Sequence, residues 1–302
     1  MKRKTHIICI SIFLIVLLIS CVGICIVFIN KKHQVKDDTC TITQYADITG
    51  EPANCYTITV GDKLIVIDGG WADNADTLRQ IIKENGNHVV AWIISHHHSD
   101  HVGAFNVIFA DPQGITVDAI YDNGYDYDFL QQTGEPYDRN GLEPLNTFYE
   151  LTKDLSNVIH LKRNDEIEIC GLDVKVYNAF DDVVIDNVGT EKDYQNNGSL
   201  CLKFTNKNES FLYTGDIKLD LNTYLFDTYG EELCGDYVQL SHHGNWGLST
   251  EYYDLMDAKA YFADITPAFY EGYPLGELRQ HILDNGKIYY DFGTAPNSFV
   301  LE

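Results

Sequence analysis

The residues best able to do chemistry lie in one stretch, AWIISHHHSDHVGAF, residues 91–105. His96, His97, His98, Asp100 and His101 fall within six residues, directly after an apolar run. Imidazole nitrogens and carboxylate oxygens are the donors that hold Zn²⁺, and also Mn²⁺ or Fe. On an extended segment His96 and His98 face one way and His97 the other. Asp100 and His101 follow at once and turn back as the strand ends. Two later segments carry donors of the same kind. FLYTGD ends in Asp216, whose carboxylate can bridge two ions, and VQLSHHG carries His242 and His243. Six of the eleven histidines thus fall at just two strand ends. A histidine-rich surface turn is the plain alternative, and the apolar strand feeding the cluster speaks against it.

Such a donor set suits metal-dependent hydrolysis. A divalent ion lowers the pKa of coordinated water toward about 7, which supplies metal-bound hydroxide at neutral pH. It also offsets charge developing on the oxygens of the scissile group. Asp216 would orient the hydroxide and Asp100 would help with the proton. Phosphoesters, carboxyl esters and amides are all open to this chemistry. No Ser-His-Asp or Cys-His arrangement competes, and neither DGG (68–70) nor YTGDI matches a P-loop. The eight cysteines include no CxxC, so no thiolate zinc knuckle is signalled.

These side chains need elements to position them. Short β-rich runs come first: CTITQYA (40–46), CYTITV (55–60) and KLIVIDGG (63–70). ADTLRQIIKENG (75–86) has helical spacing, with Leu78, Ile81 and Ile82 on one face and Gly86 as its stop. HVVAWIIS reads as a buried strand that feeds the histidines. A loop-rich region follows, centred on YDNGYDYDFLQQTGEPYD (121–138). VIHLKRNDEIEICGLDVKVYNA (158–179) alternates like paired strands. SLCLKF (199–204), SFLYTGD (210–216) and YVQLSHHG (237–244) are three more, and KAYFAD, GELRQHILDNG and KIYYDF close the chain. Strands and helices mix throughout, which points to an α/β (α+β) class.

The N-terminus reads differently. Residues 1–5 form a basic tail, and an uncharged run from Ile7 to Ile29 makes 6–29 a membrane anchor. Twenty-three helical residues reach roughly 35 Å, enough to cross a ~30 Å hydrocarbon layer. LISC, ending at Cys21, allows a lipidated or cleaved form instead. Lys2, Arg3 and Lys4 before the span, against Lys31 and Lys32 after it, favour a single-pass cell-membrane protein with its body outside the cytoplasm. Residues 30–39 read as a polar linker, and 40–302 as one large domain. From residue 37 onward, 15 Lys and Arg face 45 Asp and Glu, a net charge near −30. That balance repels nucleic acid and anionic lipid at long range. In an exported domain Cys40 and Cys55 could bridge neighbouring strands; two buried free thiols are the alternative.

Taken in order, DGG, SHHHSDHVGAF, YTGD and LSHHG resemble the motifs of the metallo-β-lactamase-fold hydrolases, with HxHxDH at His96, His98, Asp100 and His101. Within that superfamily the chain looks most like the C-terminal hydrolase domain of ComEC-type competence proteins and their free-standing relatives. The strands of 158–179, followed by NNGSLCLKF and FLYTGD, keep that subgroup's order. The likeness spans nearly all of residues 40–302. It implies a four-layered αββα sandwich with two divalent metal ions, Zn or alternatively Mn, at one edge of its two sheets. It implies His96, His98 and the late histidine, His243 in preference to His242, on one metal. Asp100 and His101 would hold the second, with Asp216 between the two. The unused late histidine and Asp68 would support the ligands from behind.

One departure from the family matters. Many members carry a further histidine between HxHxDH and the bridging aspartate. The histidine in that interval is His160, in NVIHLK, which lies too early and reads as structural. The expected place holds QNNGSL, where Asn196 and Asn197 offer amide oxygens, or hold a water, and Ser199 follows. The ComEC-like group uses Asn and Ser there as well. One metal shell is thereby poorer by an imidazole and one site weaker.

The resemblance suggests phosphodiester cleavage. The acidic charge and the lack of a basic patch disfavour nucleic acid, and a small or cell-surface phosphoester fits better. The tyrosines and carboxylates of 121–138 could cage a choline-like cation, as an acidic surface loop over buried aromatics also would look. Two alternatives stand: an ester or amide hydrolase, and a catalytically silent binding domain of the same fold.

Overall fold

A computed structural model describes residues 39–271 and 274–302. Residues 1–38, with the expected tail, anchor and nearly all of the linker, lie outside the described residues. Among the described residues no helix is long and apolar enough to cross a membrane. Thr39–Glu302 pack as one unit.

The β-branched runs form fourteen strands among the described residues. They are β1 (Cys40–Gln44), β2 (Cys55–Val60), β3 (Lys63–Asp68), β4 (His88–Ile93), β5 (Thr116–Asp122), β6 (Val158–His160), β7 (Glu166–Ile169), β8 (Leu172–Asn178), β9 (Cys201–Asn206), β10 (Glu209–Tyr213), β11 (Tyr237–Gln239), β12 (Ala260–Phe262), β13 (Ile288–Tyr290) and β14 (Asn297–Leu301). Two seven-stranded sheets result, in the orders β14-β1-β2-β3-β4-β5-β6 and β13-β12-β11-β10-β9-β8-β7. Each sheet is antiparallel on one side and parallel on the other: β3 to β6 run parallel in the first, β10 to β13 in the second.

Helices fill the connections between parallel strands, as such crossovers require, and two short ones, Asp182–Asn187 and Tyr194–Asn197, lie between the antiparallel strands β8 and β9. They are α1 (Ala75–Glu84), α2 (Ser99–Ala110), α3 (Tyr127–Thr133), α4 (Glu143–Thr152), α5 (Asp182–Asn187), α6 (Tyr194–Asn197), α7 (Asn222–Tyr229), α8 (Thr250–Met256) and α9 (Leu275–Asp284). Strand periodicity divides the core into layers. In β3, Ile65 and Ile67 face the second sheet with Phe204, Phe211 and Phe262. Leu64 and Val66 face outward, under Leu78, Ile82, Val102 and Phe105 of α1 and α2. On the far side Leu212 and Val238 lie under Leu225, Tyr252 and Ile282. The layers are therefore αββα, and strands buried on both faces read as continuous apolar runs.

Three expectations change. Cys40 and Cys55 are not bridged; both are free and buried. Cys40 is paired with Val60 at the opposite end of β2 from Cys55, and packs between the sheets while Cys55 packs on the outer face. Burial pushes the Cys40 thiol up to about 11. The stretch 158–179 is not one paired unit either. β6 extends the first sheet, and the chain then crosses over to start the β7–β8 hairpin of the second. The region around 121–138 is also less loop-like than expected. It contains α3, whose N-terminus is capped by Asp126 accepting the Phe129 N–H at 2.9 Å.

Candidate metal centre

The carboxyl ends of β3, β4, β10 and β11 meet at one edge of the sandwich. β4 runs into Ser95 and His96, and the chain stays extended through His98 before α2 begins at Ser99. His97 turns away, as alternation requires. Its ring packs 4.3 Å from Tyr125 and 4.6 Å from Phe148, centroid to centroid. Asp100 and His101 occupy the first turn of α2, where a carboxylate meets the positive end of the helix dipole. Asp216 follows β10 by a turn through Gly215, at φ 53°. His242 and His243 follow β11, with φ of 53° and 58°. Two successive non-glycine residues in the left-handed region cost about 1–2 kcal/mol each, and such strain tends to collect at functional sites.

Asp100, His101, Asp216 and His243 converge, with one donor atom from each within 4.8 Å of the others. His243 Nε2 lies 3.1 Å from Asp100 Oδ2 and 3.2 Å from Asp216 Oδ2. His101 Nε2 lies 3.2 Å from Asp216 Oδ2. His243 therefore stands with Asp100 and His101, not with His96 and His98 as the family resemblance implied. The turn after β11 aims its ring toward the start of α2. His96 and His98 lie beside this group, with 4.0 Å between the ring centroids of His96 and His101 and 4.6 Å between those of His96 and His98.

Hydrogen bonds behind the donors orient their rings. Asp68 is fully buried, and its Oδ2 accepts from His101 Nδ1 at 2.7 Å, from Ser95 Oγ at 2.7 Å and from the Tyr213 hydroxyl. The Nδ1 proton is thus committed, and Nε2 is the nitrogen that would give its lone pair to a bound cation. Ser199 Oγ accepts the Asp216 N–H at 3.1 Å and lies 3.1 Å from His96 Nδ1, which aims His96 Nε2 the same way. His96 Nε2, His98 Nε2, His101 Nε2 and Asp216 Oδ1 are buried without a hydrogen-bond partner. Unpaired buried polar atoms are costly, and so many converging on one point fit a divalent cation. Two donors about 2.1 Å from one tetrahedral ion stand about 3.4 Å apart, close to the separations found here.

Electrostatics point the same way. Burial pushes the Asp216 carboxyl up, but the His101 and His243 imidazoles outweigh it and hold it well below the usual carboxylate range. Burial lowers His243, and Asp216 and Asp100 outweigh that to bring it up to about 10. His101 is likewise raised well above the usual range by Asp216 and Asp68 against burial. His96 is held well below by burial and by His101 and His98, so it is neutral and able to donate a lone pair.

The remaining predicted residues divide. His242 lines the cleft, but its Nδ1 is engaged with the Asn245 carbonyl. Asn196 is buried with Oδ1 unpartnered, and lines the same cleft. Asn197 is committed elsewhere: its Oδ1 accepts the Lys218 N–H at 3.1 Å, and its Nδ2 donates to Asp193 and Asp220. His160 sits away from the centre at the end of β6, with Nδ1 2.7 Å from Asp122 Oδ1. Three acids near the centre were not singled out from the sequence. Glu135 approaches His98, Asp193 lies beside Asn196, and Asp138 accepts the Ser99 hydroxyl at 2.8 Å. Glu135 and Asp138 belong to the acidic, aromatic tract 121–138, whose composition was the available signal. The centre opens into a cleft of about 920 Å³, lined also by Trp71, Arg139, Lys218 and Trp246.

A model of the metallo-β-lactamase superfamily matches residues 48–113, which include the histidine cluster. Solved structures match much further along the chain. The metallo-β-lactamase-fold protein YhfI from Bacillus subtilis aligns over 87% of this chain and 100% of its own, at 12% identity and a TM-score of 0.53. Its two-sheet frame is the one described above. This chain has the metallo-β-lactamase fold. Igni18, a metallo hydrolase from Ignicoccus hospitalis, aligns over 87% of this chain and 99% of its own, at 12% identity and a TM-score of 0.50. A diphosphatase of the PhnP family aligns over 87% and 100%, at 13% identity and a TM-score of 0.50. No curated protein matches the chain by sequence.

Proposed function

We propose that this protein is a metal-dependent hydrolase of phosphoesters or phosphodiesters, built on the metallo-β-lactamase fold. One observation carries the reading: half-buried Asp100 and buried His101, Asp216 and His243 place four donor atoms within 4.8 Å of one another. Asp100, His101, Asp216 and His243 would hold one divalent ion, and His96 and His98, beside them, would serve a second. Divalent ions bound there supply Lewis acidity and an acidified water. The chain's own residues do the rest. Asp68 holds His101 in its Nδ1–H tautomer, and Ser199 holds His96 and the Asp216 backbone in register. Asp216 would orient the attacking water, and Asp100 would help to take its proton. Asp100, Asp216 and His243 line the cleft, where a bound ester would meet them. Arg139 and Lys218 are cations lining the cleft and suit the non-bridging oxygens of a phosphoester.

The substrate reading is a small or cell-surface phosphoester. It rests on the acidic charge, and belongs to the same chemical class as the diphosphatase among the structural neighbours. The motif order supports placement near the ComEC-type hydrolase domains, and the apolar run 7–29 supports a single-pass anchor with the body outside the cytoplasm.

The test uses the purified protein, assayed with bis-p-nitrophenyl phosphate and Mn²⁺ or Zn²⁺ beside Asp216→Ala. One to two metals per chain, with activity at least 100-fold lower in the variant, is the expected result. A wild-type protein that takes up no metal sinks the reading. Metal uptake without turnover of any phosphoester favours the binding-domain alternative.

A further inference from the structure

His96 and His98 are one imidazole short of the family pattern; the Nε2 of His96 is buried and unpartnered, and that of His98 is buried with only an ion-pair approach to a carboxylate. Two carboxylates stand beside His98. One donor atom each from His98, Glu135 and Asp193 lie within 4.8 Å of one another. His98 Nε2 is 3.4 Å from Glu135 Oε1, and these side chains are only 6% and 2% exposed. Asp193 is 0% exposed. Asn196 Oδ1, 3% exposed and without a partner, lines the same cleft as His98 and Asp193. Burying two carboxylates is expensive unless cations compensate. Lys218 Nζ meets Asp193 Oδ2 at 3.0 Å, but it also pairs with Glu191 at 3.0 Å. Glu135 has no lysine or arginine partner among the described ion pairs; it accepts N–H groups from Tyr137 and Gln195, both at 2.9 Å.

We infer that Glu135 and Asp193 are metal ligands, forming with His98 the second ion site of the proposed hydrolase. The inference rests on the two-ion reading above and names donors that the sequence motifs do not. Asp193 retains capacity for this. Its Oδ2 is taken by Lys218 and Asn196 Nδ2, while Oδ1 accepts only the Asn196 N–H at 3.3 Å. Asp138, which also approaches His98 and Asp100, is different. Its oxygens are occupied by the Ser99 N–H and hydroxyl and by the Asn140 N–H at 2.6 Å, so it anchors the start of α2. Two carboxylates, with an amide oxygen nearby, make this position harder than an all-imidazole one. Hard oxygen donors suit Mn²⁺ better than they suit softer ions.

Metal-free full-length protein would be titrated with Mn²⁺ and with Zn²⁺ by calorimetry, and its bound metal counted by elemental analysis. Wild type should hold two ions. Glu135→Gln and Asp193→Asn should each weaken one of them at least tenfold and spare the other, which His243→Ala should weaken instead. Glu135→His should restore that site and move its preference from Mn²⁺ toward Zn²⁺, an effect that a merely structural role would not produce. Unchanged melting temperatures of the metal-free variants confirm that folding is intact, and Asp193→Asn carries the test if Glu135→Gln does not fold. Two ions at wild-type affinity in both carboxylate variants overturn the inference, as does a single ion sensitive only to His243→Ala. A wild-type protein with no metal overturns the proposed function instead, so the two failures are distinct.

Discussion

At the scale of single residues, the site is a balance of protons that a cation would displace. His98, raised to about 9 by Glu135 against the lowering effect of burial, and His243, raised to about 10, are protonated at pH 7 without metal. Metal ligation needs their neutral forms, so binding releases protons. The sign follows: affinity rises with pH, by up to about tenfold per pH unit for each proton displaced. Calorimetry at pH 7 in buffers of different ionisation enthalpy should report release of at least one proton per ion bound. His97 gives the opposite case. It is 1% exposed, its two ring nitrogens lack partners, and it packs on Tyr125 and Phe148. His97→Leu should therefore bind metal as wild type does and melt at the same or a higher temperature, by up to about 2 kcal/mol of stability; a loss of bound metal would show that the ring serves the site. The strand alternation that separates His97 from its neighbours was legible in the sequence, because the contrast is local. Glu135 and Asp193 were not legible as neighbours of His98, because the approach is made through tertiary packing and no fixed spacing encodes it.

At the scale of elements, short turns after strands set the donors. The turn Ser241–Gly247 holds His243 through left-handed residues and is closed tightly at its end. A Cβ on Gly247 would meet the Ser241 carbonyl oxygen at 2.1 Å. Backbone cannot yield as a side-chain tip can, so Gly247→Ala should cost about 1–3 kcal/mol. It should also lower metal per chain by shifting His243. A melting curve and elemental analysis check both, and a variant like wild type in each would show that the turn does not aim His243. Strands with β-branched runs, such as β2, β3 and β4, were readable from the sequence. The β6–β7 crossover was not, since both runs alternate alike and only packing decides which sheet each one joins. The short helices α3 and α4 were obscured by the polar, aromatic composition around them.

At the scale of the whole molecule, the chain carries a formal charge of −24 at pH 7. An acidic envelope repels an anionic phosphodiester, and salt screens that repulsion over a Debye length of about 10 Å at 0.1 M. The kcat/KM for bis-p-nitrophenyl phosphate should thus rise, by about 2- to 10-fold, between 10 mM and 150 mM salt. A fall would mean that Arg139 and Lys218 dominate the approach. The fold adds a constraint of another kind. The first strand of the sandwich, β1, pairs on one side with β14, the last, with Thr43 and Ser298 hydrogen-bonded across 255 residues of sequence. A ribosome adding about 5–20 residues per second needs roughly 13–50 s to make that interval. Throughout that time the outer edge of β1 has no partner strand, so the first sheet completes only once Asn297–Leu301 has been made. A nascent chain arrested before Asn297 should remain open to protease at β1, which a full chain, with β14 in place, would protect.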